Sequence, residues 1–381
     1  MKSSKNFLFK RLFISGICSA FNSPYKLKKN NFYLCAMKNI FCVIALTLLV
    51  YSSCSAQLAL PQKPVAEEPQ GLVKWLTFKE AQELYKKQPK PFIIDVYTDW
   101  CGWCKHMMKT TYSDPGIATY INTYFYPVKF DAETKDSIIY NGTTYYNLGK
   151  EKKSTHQLAV KLLGSQLMYP TTIFTANNFQ FNLLSQGYLD VKKIEPLLIF
   201  TVENVFLSTS FDDFKVGFEK KFYDTTKTVP LVKWLTMNQA LELQAEKPKK
   251  IAVSIGTSFC NSCKVMNAAN FLDSASAKYV NDHFYLVDFS AESKEQVNYK
   301  GTIYENIGAN NFPFHSLVPV LTRNNFVLPS FVILNEELNI VDCIPNYISD
   351  KSMSLIIPFF GDNYYKKMKW EDYVKLKNEK K

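Results

Sequence analysis

From residue 72 onward, apolar and polar positions follow a regular order. "PFIIDVYT" (91–98) is a short apolar run bounded by Pro and Asp-Trp, the pattern of a buried strand. Before it, Thr77 and Glu80 make a capping box that opens a helix over "AQELYKK". After it comes a helical stretch through Met107 and Met108, and "YFYPVKFDA" (124–132) reads as a second strand. "SIIYNGTTYY" (137–146) alternates around Asn-Gly, a hairpin signal. Another helix begins near Thr155 and ends before Tyr169-Pro170. "TTIFTA" and "FQFNLLSQG" predict two more strands, with helices from about 190 and 210. Strand, helix and strand, then a hairpin-like pair and terminal helices, indicate an α/β sandwich.

The plan is written twice. At an offset of 159 residues, "LVKWLT" at 72–77 recurs at 231–236, Gly142 maps to Gly301, His156 to His315 and Pro170 to Pro329. "FDDF" (211–214) maps to "WEDY" (370–373), and the register needs no insertion or deletion. Copies of this size are domains rather than solenoid repeats. The expected organisation is an N-terminal extension and secretory signal over 1–56, domains at 70–223 and 231–381, and a polar linker at 224–230.

Charge alters the picture only at the start. The net charge is +11, but eight of the 45 basic side chains lie in residues 1–56, where there is no acid. The remainder holds 37 basic against 34 acidic side chains, and the arginines are Arg11 and Arg323 alone. Nucleic acid is therefore not an expected partner. "MKNIFCVIALTLLVYSSCSAQ" (37–57) has a short positive start, an apolar run too short to span a bilayer, and small residues up to Ala56. It reads as a secretory signal, with translation starting at Met37 and cleavage between Ala56 and Gln57. Lipid attachment at Cys54 is the rival, disfavoured because Tyr51 sits where a small aliphatic residue is wanted. The expected location is the periplasm or cell envelope.

Nine cysteines are present, and four (Cys18, Cys35, Cys42, Cys54) lie in the prefix. Of the rest, Cys101/Cys104 and Cys260/Cys263 are pairs two residues apart, at matching repeat positions, each followed by a lysine. Such pairs in an exported chain suggest redox chemistry rather than a dense disulfide framework. Cys101 falls where a strand ends and a helix begins, so free N–H groups and the helix dipole favour its thiolate. Cys104, one turn on, can close a small disulfide with it and resolve a mixed disulfide. Asp95 lies mid-strand, where desolvation raises a carboxyl pKa and suits it to accept a proton from Cys104. A cis peptide before Pro170 would bring backbone beside the disulfide to bond an extended substrate. Trp100, Gly102, Trp103 and Lys105 surround the pair and tune it.

"FIIDVYTDWCGWCK" with "YPTTIF" resembles the thioredoxin superfamily, and "HMMKTTYSDPGIATYIN" is similar to its bacterial exported branch, near the C-terminal domain of DsbD-type interchange proteins. The resemblance covers each repeat from its first helix to its last strand. It implies two tandem thioredoxin-like α/β sandwich domains, with an inserted hairpin and extra C-terminal helices as departures. It also implies that Cys101 is the nucleophile, Cys104 the resolving thiol, Asp95 the buried acid and Pro170 the cis-proline. In the second copy Ser254 replaces Asp95, Phe259 replaces Trp100, and Asn261-Ser262 replaces Gly102-Trp103, while Pro329 persists. Without the acid, Cys260/Cys263 is expected to be a weaker or differently poised redox site, its alternative a structural disulfide.

Zinc binding would need the two pairs close together with further ligands, and no metal or other cofactor is expected. His156 and His315 at helix starts, and His106 on a helix surface, read as structural. Cys343, in the strand-like "NIVDCIPNYI", reads as a buried small apolar residue. The expected function is an exported thiol–disulfide oxidoreductase acting on disulfides or thiols of exported proteins, supplied by a membrane electron donor if it is a reductase. The competing class is a binding or scaffold protein of the same fold, whose paired cysteines only add stability.

Overall fold

The computed structural model describes residues 71–176, 178–225, 231–270, 274–308 and 312–379, all within one compact unit, Glu67–Lys381. The signal, the start at Met37, Cys54 and the linker from 226 onward lie outside the described residues.

The first repeat opens with α1 (Phe78–Lys87), whose capping box pairs Thr77 Oγ1 with the Glu80 N–H and the Glu80 carboxylate with the Thr77 N–H. Then come β1 (Phe92–Tyr97), α2 (Gly102–Lys109), α3 (Pro115–Tyr124), β2 (Tyr126–Asp131), the hairpin β3 (Ile138–Tyr140) and β4 (Thr143–Tyr145), α4 (Gln157–Leu163), β5 (Thr171–Ala176), β6 (Phe181–Gln186), α5 (Val191–Val202) and α6 (Phe211–Phe222). Asn141 and Gly142 both take positive φ at the hairpin turn, the conformation Asn-Gly is chosen for. The helix at 115–124 is not among the elements that the sequence pattern predicts. Its signal is local: Asp114 accepts from the Ile117 N–H at 2.9 Å and Pro115 occupies the first helical turn.

The second repeat follows the same order: β7 (Trp234–Leu235), α7 (Met237–Glu246), β8 (Lys250–Gly256), α8 (Asn261–Ala269), α9 (Ser274–His283), β9 (Phe284–Ser290), β10 (Val297–Tyr299), β11 (Thr302–Tyr304), α10 (Leu317–Leu321), β12 (Ser330–Leu334), β13 (Ile340–Pro345), α11 (Asp350–Gly361) and α12 (Trp370–Asn378). The sheets run β2-β1-β5-β6 and β13-β12-β8-β9-β7. In each, the strand leading to the cysteines is central. β1 pairs with β2 in parallel and with β5 antiparallel, as β8 does with β9 and β12. The first sheet's counterpart of β7 is a single parallel bridge, Leu76 to Val128.

Alternation along β1 sends Ile93 to one face of the sheet and Phe92, Ile94 and Val96 to the other. Ile93 meets Met107, Met108, Ile117 and Leu197 from the helices, whereas Ile94 meets Phe78 and Leu158 under the hairpin. In the second repeat, by contrast, one core crosses the repeat boundary. Ile199, Phe200, Val205, Phe214 and Phe218 of the first repeat cluster with Val265, Met266, Phe331 and Tyr347 of the second. α6 lies along α8. Gly217 permits this approach, since a Cβ there would fall 2.8 Å from Ala269 Cβ and 3.1 Å from Val265 Cγ1. Gly217→Leu should therefore destabilise the protein by about 1–3 kcal/mol through overpacking. A urea-unfolding midpoint equal to that of the unsubstituted protein would show that the two helices are not tightly docked.

Candidate active site

Cys101 is the N-cap of α2 and forms a disulfide with Cys104, with Cα atoms 5.3 Å apart. Its Sγ accepts from the Cys104 N–H at 3.1 Å. The N-cap position sets the sulfur at the positive end of the helix, where a thiolate is favoured once the bond opens. Trp100 and Trp103 flank the pair and are exposed at 56% and 63%. Trp100 donates to Glu133 at 2.9 Å and lies edge-on to Tyr169, while Trp103 packs against His106 and Tyr188. Gly102 and Lys105 are exposed on the same helix, and Lys105 also borders a crevice behind Cys104.

That crevice is lined by Asp95, Tyr97, Thr98, Cys104, Met108 and Lys129. Asp95 is buried on β1, and burial raises its pKa to about 7 against the opposing pull of Lys129. Lys129 stands opposite it on β2, and Tyr112 donates to Asp95 Oδ1 at 3.4 Å. Asp95 Oδ2 has no protein partner among the described residues. Sequence reasoning missed Tyr112 and Lys129, since only strand register and the packing of the turn after α2 bring them to the acid.

Tyr169–Pro170 is a cis peptide, and Thr171 after it pairs with Val96, placing Pro170 at the end of the sheet where Cys101 sits. Leu328–Pro329 is cis at the matching place in the second repeat. There Cys260 caps α8, bonds Cys263, and accepts from the Cys263 N–H at 3.2 Å. Ser254, standing where Asp95 does, donates to Asn267 Oδ1 at 2.6 Å, and Asn267 donates to Asp288 at 3.2 Å. Asp288 faces Ser254 across β8 and β9 as Lys129 faces Asp95. The second site thus has an acid on the neighbouring strand, reached through an amide, at a position that the local pattern around Cys260 does not reveal.

Residues 63–188 and 217–314 match the Thioredox_DsbH family, described as "Protein of unknown function, DUF255". The chain belongs to this family. Its repeats are tandem thioredoxin-like domains with paired cysteines, a fold of the thiol–disulfide oxidoreductase type. Among solved structures, the chain is similar to a thioredoxin from Thermus thermophilus (15% identity, 33% of this chain and 84% of that chain, TM-score 0.24). It is also similar to a thioredoxin-fold protein from Helicobacter pylori (15% identity, 45% and 100%, TM-score 0.29). A third is titled DsbH Oxidoreductase (14% identity, 35% and 90%, TM-score 0.25). No curated protein matches the sequence.

In this Thioredox_DsbH chain the histidines at helix starts hold structure. His156 is fully buried, accepts from the Leu158 N–H through Nδ1 and faces the Asp136 carbonyl through Nε2; His315 repeats this with Leu317 and Glu295. Cys343 lies half-buried on β13 as a free thiol whose pKa burial raises.

The raised pKa of Asp95 makes a stability prediction. The folded protein holds this proton up to about pH 7, whereas an unfolded Asp releases it near about 3.9. Stability from this group is complete below about pH 3.9 and falls as pH rises to about 7, by a few (~4) kcal/mol at most. Asp95→Asn should remove that decline, so the variant gains on the unsubstituted protein at pH 8 but not at pH 4. Parallel urea-unfolding curves across this range would mean that Asp95 ionises in the fold as freely as in water.

Proposed function

We propose that the protein is an exported thiol–disulfide oxidoreductase that reduces or exchanges disulfides of envelope proteins through Cys101 and Cys104. The observation that carries this reading is the stack at the end of β1: an N-capping Cys101, its partner Cys104, and behind it a buried carboxyl with a pKa of about 7. A group with that pKa can take and return a proton near neutrality.

In the dithiol form, the Cys101 thiolate attacks a substrate disulfide. One substrate sulfur leaves as a thiolate and takes a proton, giving a mixed disulfide at Cys101. Cys104 then passes its proton to Asp95 and attacks Cys101 Sγ. The second substrate sulfur departs, the Cys101–Cys104 bond forms, and two electrons have moved to the substrate. The exposed indoles of Trp100 and Trp103 offer apolar surface for an extended substrate segment beside Pro170. Working as a reductase in an envelope compartment, the protein takes its electrons from a membrane thiol donor. Cys260/Cys263 is a second, differently poised pair in this scheme.

Cys104→Ser should accumulate mixed disulfides with envelope proteins, seen as thiol-sensitive adducts on non-reducing gels, and Cys101→Ser should accumulate none. If Cys104→Ser traps nothing under conditions in which an ordinary thioredoxin does, the exchange reading fails and a binding role replaces it.

A further inference from the structure

The two cysteine pairs differ most on the face of the helix that follows the nucleophile position. In the first repeat that face carries the exposed Trp103, with His106 and Tyr188 beside it. At the matching positions in the second repeat stand Ser262, Val265 and Tyr347, all buried. What buries them is the end of the first repeat: Phe214, Gly217 and Phe218 of α6, and the residue just past α5, Glu203.

Glu203 caps two helices at once. Its backbone N–H closes α5, and its carboxylate accepts from the N–H groups of Asn261 at 3.0 Å and Ser262 at 2.7 Å, in the first turn of α8. Glu203 Oε2 lies 3.8 Å from Cys260 Sγ. Two of the three N–H groups at the start of α8 are thus bonded to a carboxylate, leaving the Cys263 N–H on Cys260 Sγ, and an anion on this sulfur, or an incoming thiolate attacking it, meets a like charge. The Glu203 pKa is raised on balance, because burial outweighs the bonds from Ser262 and Asn261 and the nearby Lys264 cation, which lower it; Tyr120 also faces it.

We propose that Glu203, carried by the first repeat, is the positioning residue that makes the Cys260–Cys263 disulfide slow to exchange. This is a property of the second pair and holds whether or not Cys101/Cys104 turns over envelope substrates. The reaction it slows is ordinary reduction. A thiolate of a dithiol reagent attacks Cys260 Sγ, the bond to Cys263 breaks with its electron pair leaving on Cys263, and Cys263 takes a proton. The reagent's second thiolate then displaces Cys260 and closes the reagent's own disulfide, so two electrons pass to the protein.

The test uses the full chain and dithiothreitol at pH 8, following each pair by alkylation and peptide mass spectrometry. Glu203→Gln, which keeps the shape and an accepting oxygen, should speed reduction of Cys260–Cys263 about tenfold and leave the Cys101–Cys104 rate in the same sample unchanged. In a Cys263→Ser background it should also move the pH midpoint of Cys260 alkylation down by about one unit, a like-charge effect of ordinary size. Glu203→Asp, which keeps the charge, should hold the midpoint high. The proposal is overturned if Glu203→Gln changes neither rate nor midpoint, or if Glu203→Asp lowers the midpoint as far as Glu203→Gln does. Should Glu203→Gln not fold, the Cys263→Ser and Cys104→Ser chains decide: a Cys260 midpoint above that of Cys101 supports the role, and one equal to or below it ends it.

Discussion

The docking of α6 on α8 is the contact on which the rest of this molecule depends. Burial of aromatic surface drives it, and Phe214 and Phe218, with Ile199, Phe200 and Val205 of the first repeat, share one core with the second. A glycine at 217 lets the two helices approach more closely than any side chain would allow. Because α6 begins only nine residues after α5 ends, this docking also fixes where the end of α5 lies, and Glu203 with it. One hydrophobic contact therefore decides both how the repeats join and what stands beside the second disulfide.

Two motifs of matching local geometry consequently meet different electrostatics. Cys101 and Cys260 each cap a helix, each accepts the N–H of its partner cysteine, and each has partner Cα atoms at 5.3 Å. Around Cys101 the exposed surface is aromatic and a buried acid lies behind Cys104; around Cys260 a carboxylate occupies the helix N-terminus and the acid has moved to the next strand, behind Asn267. Thiol chemistry responds to such neighbours rather than to the spacing of the cysteines.

Much of the fold was legible because its signals are local. The capping box at Thr77, the Asn141-Gly142 turn and the apolar run of β1 around Asp95 each act within a few residues, and each element appears where its pattern places it. The helix at 115–124 went unread although Asp114-Pro115 is a start signal, since it lies close behind the helix carrying the cysteines. The burial of Asp95 was also legible, because a lone carboxylate within a continuous apolar strand has no solvent face to turn to.

The sequence by itself determined the duplication, most of the order of elements and the identity of the paired cysteines. These rest on residue identity and on spacing along the chain. Only the tertiary structure decided that Tyr112 and Lys129 face Asp95, that Asp288 stands behind Ser254, and that Glu203 stands on Cys260. Glu203 is 57 residues from Cys260 and in the other repeat, so no local pattern connects them. Hydrogen bonds and charges act through distance in space, and that distance exists only once the aromatic face of α6 has been buried.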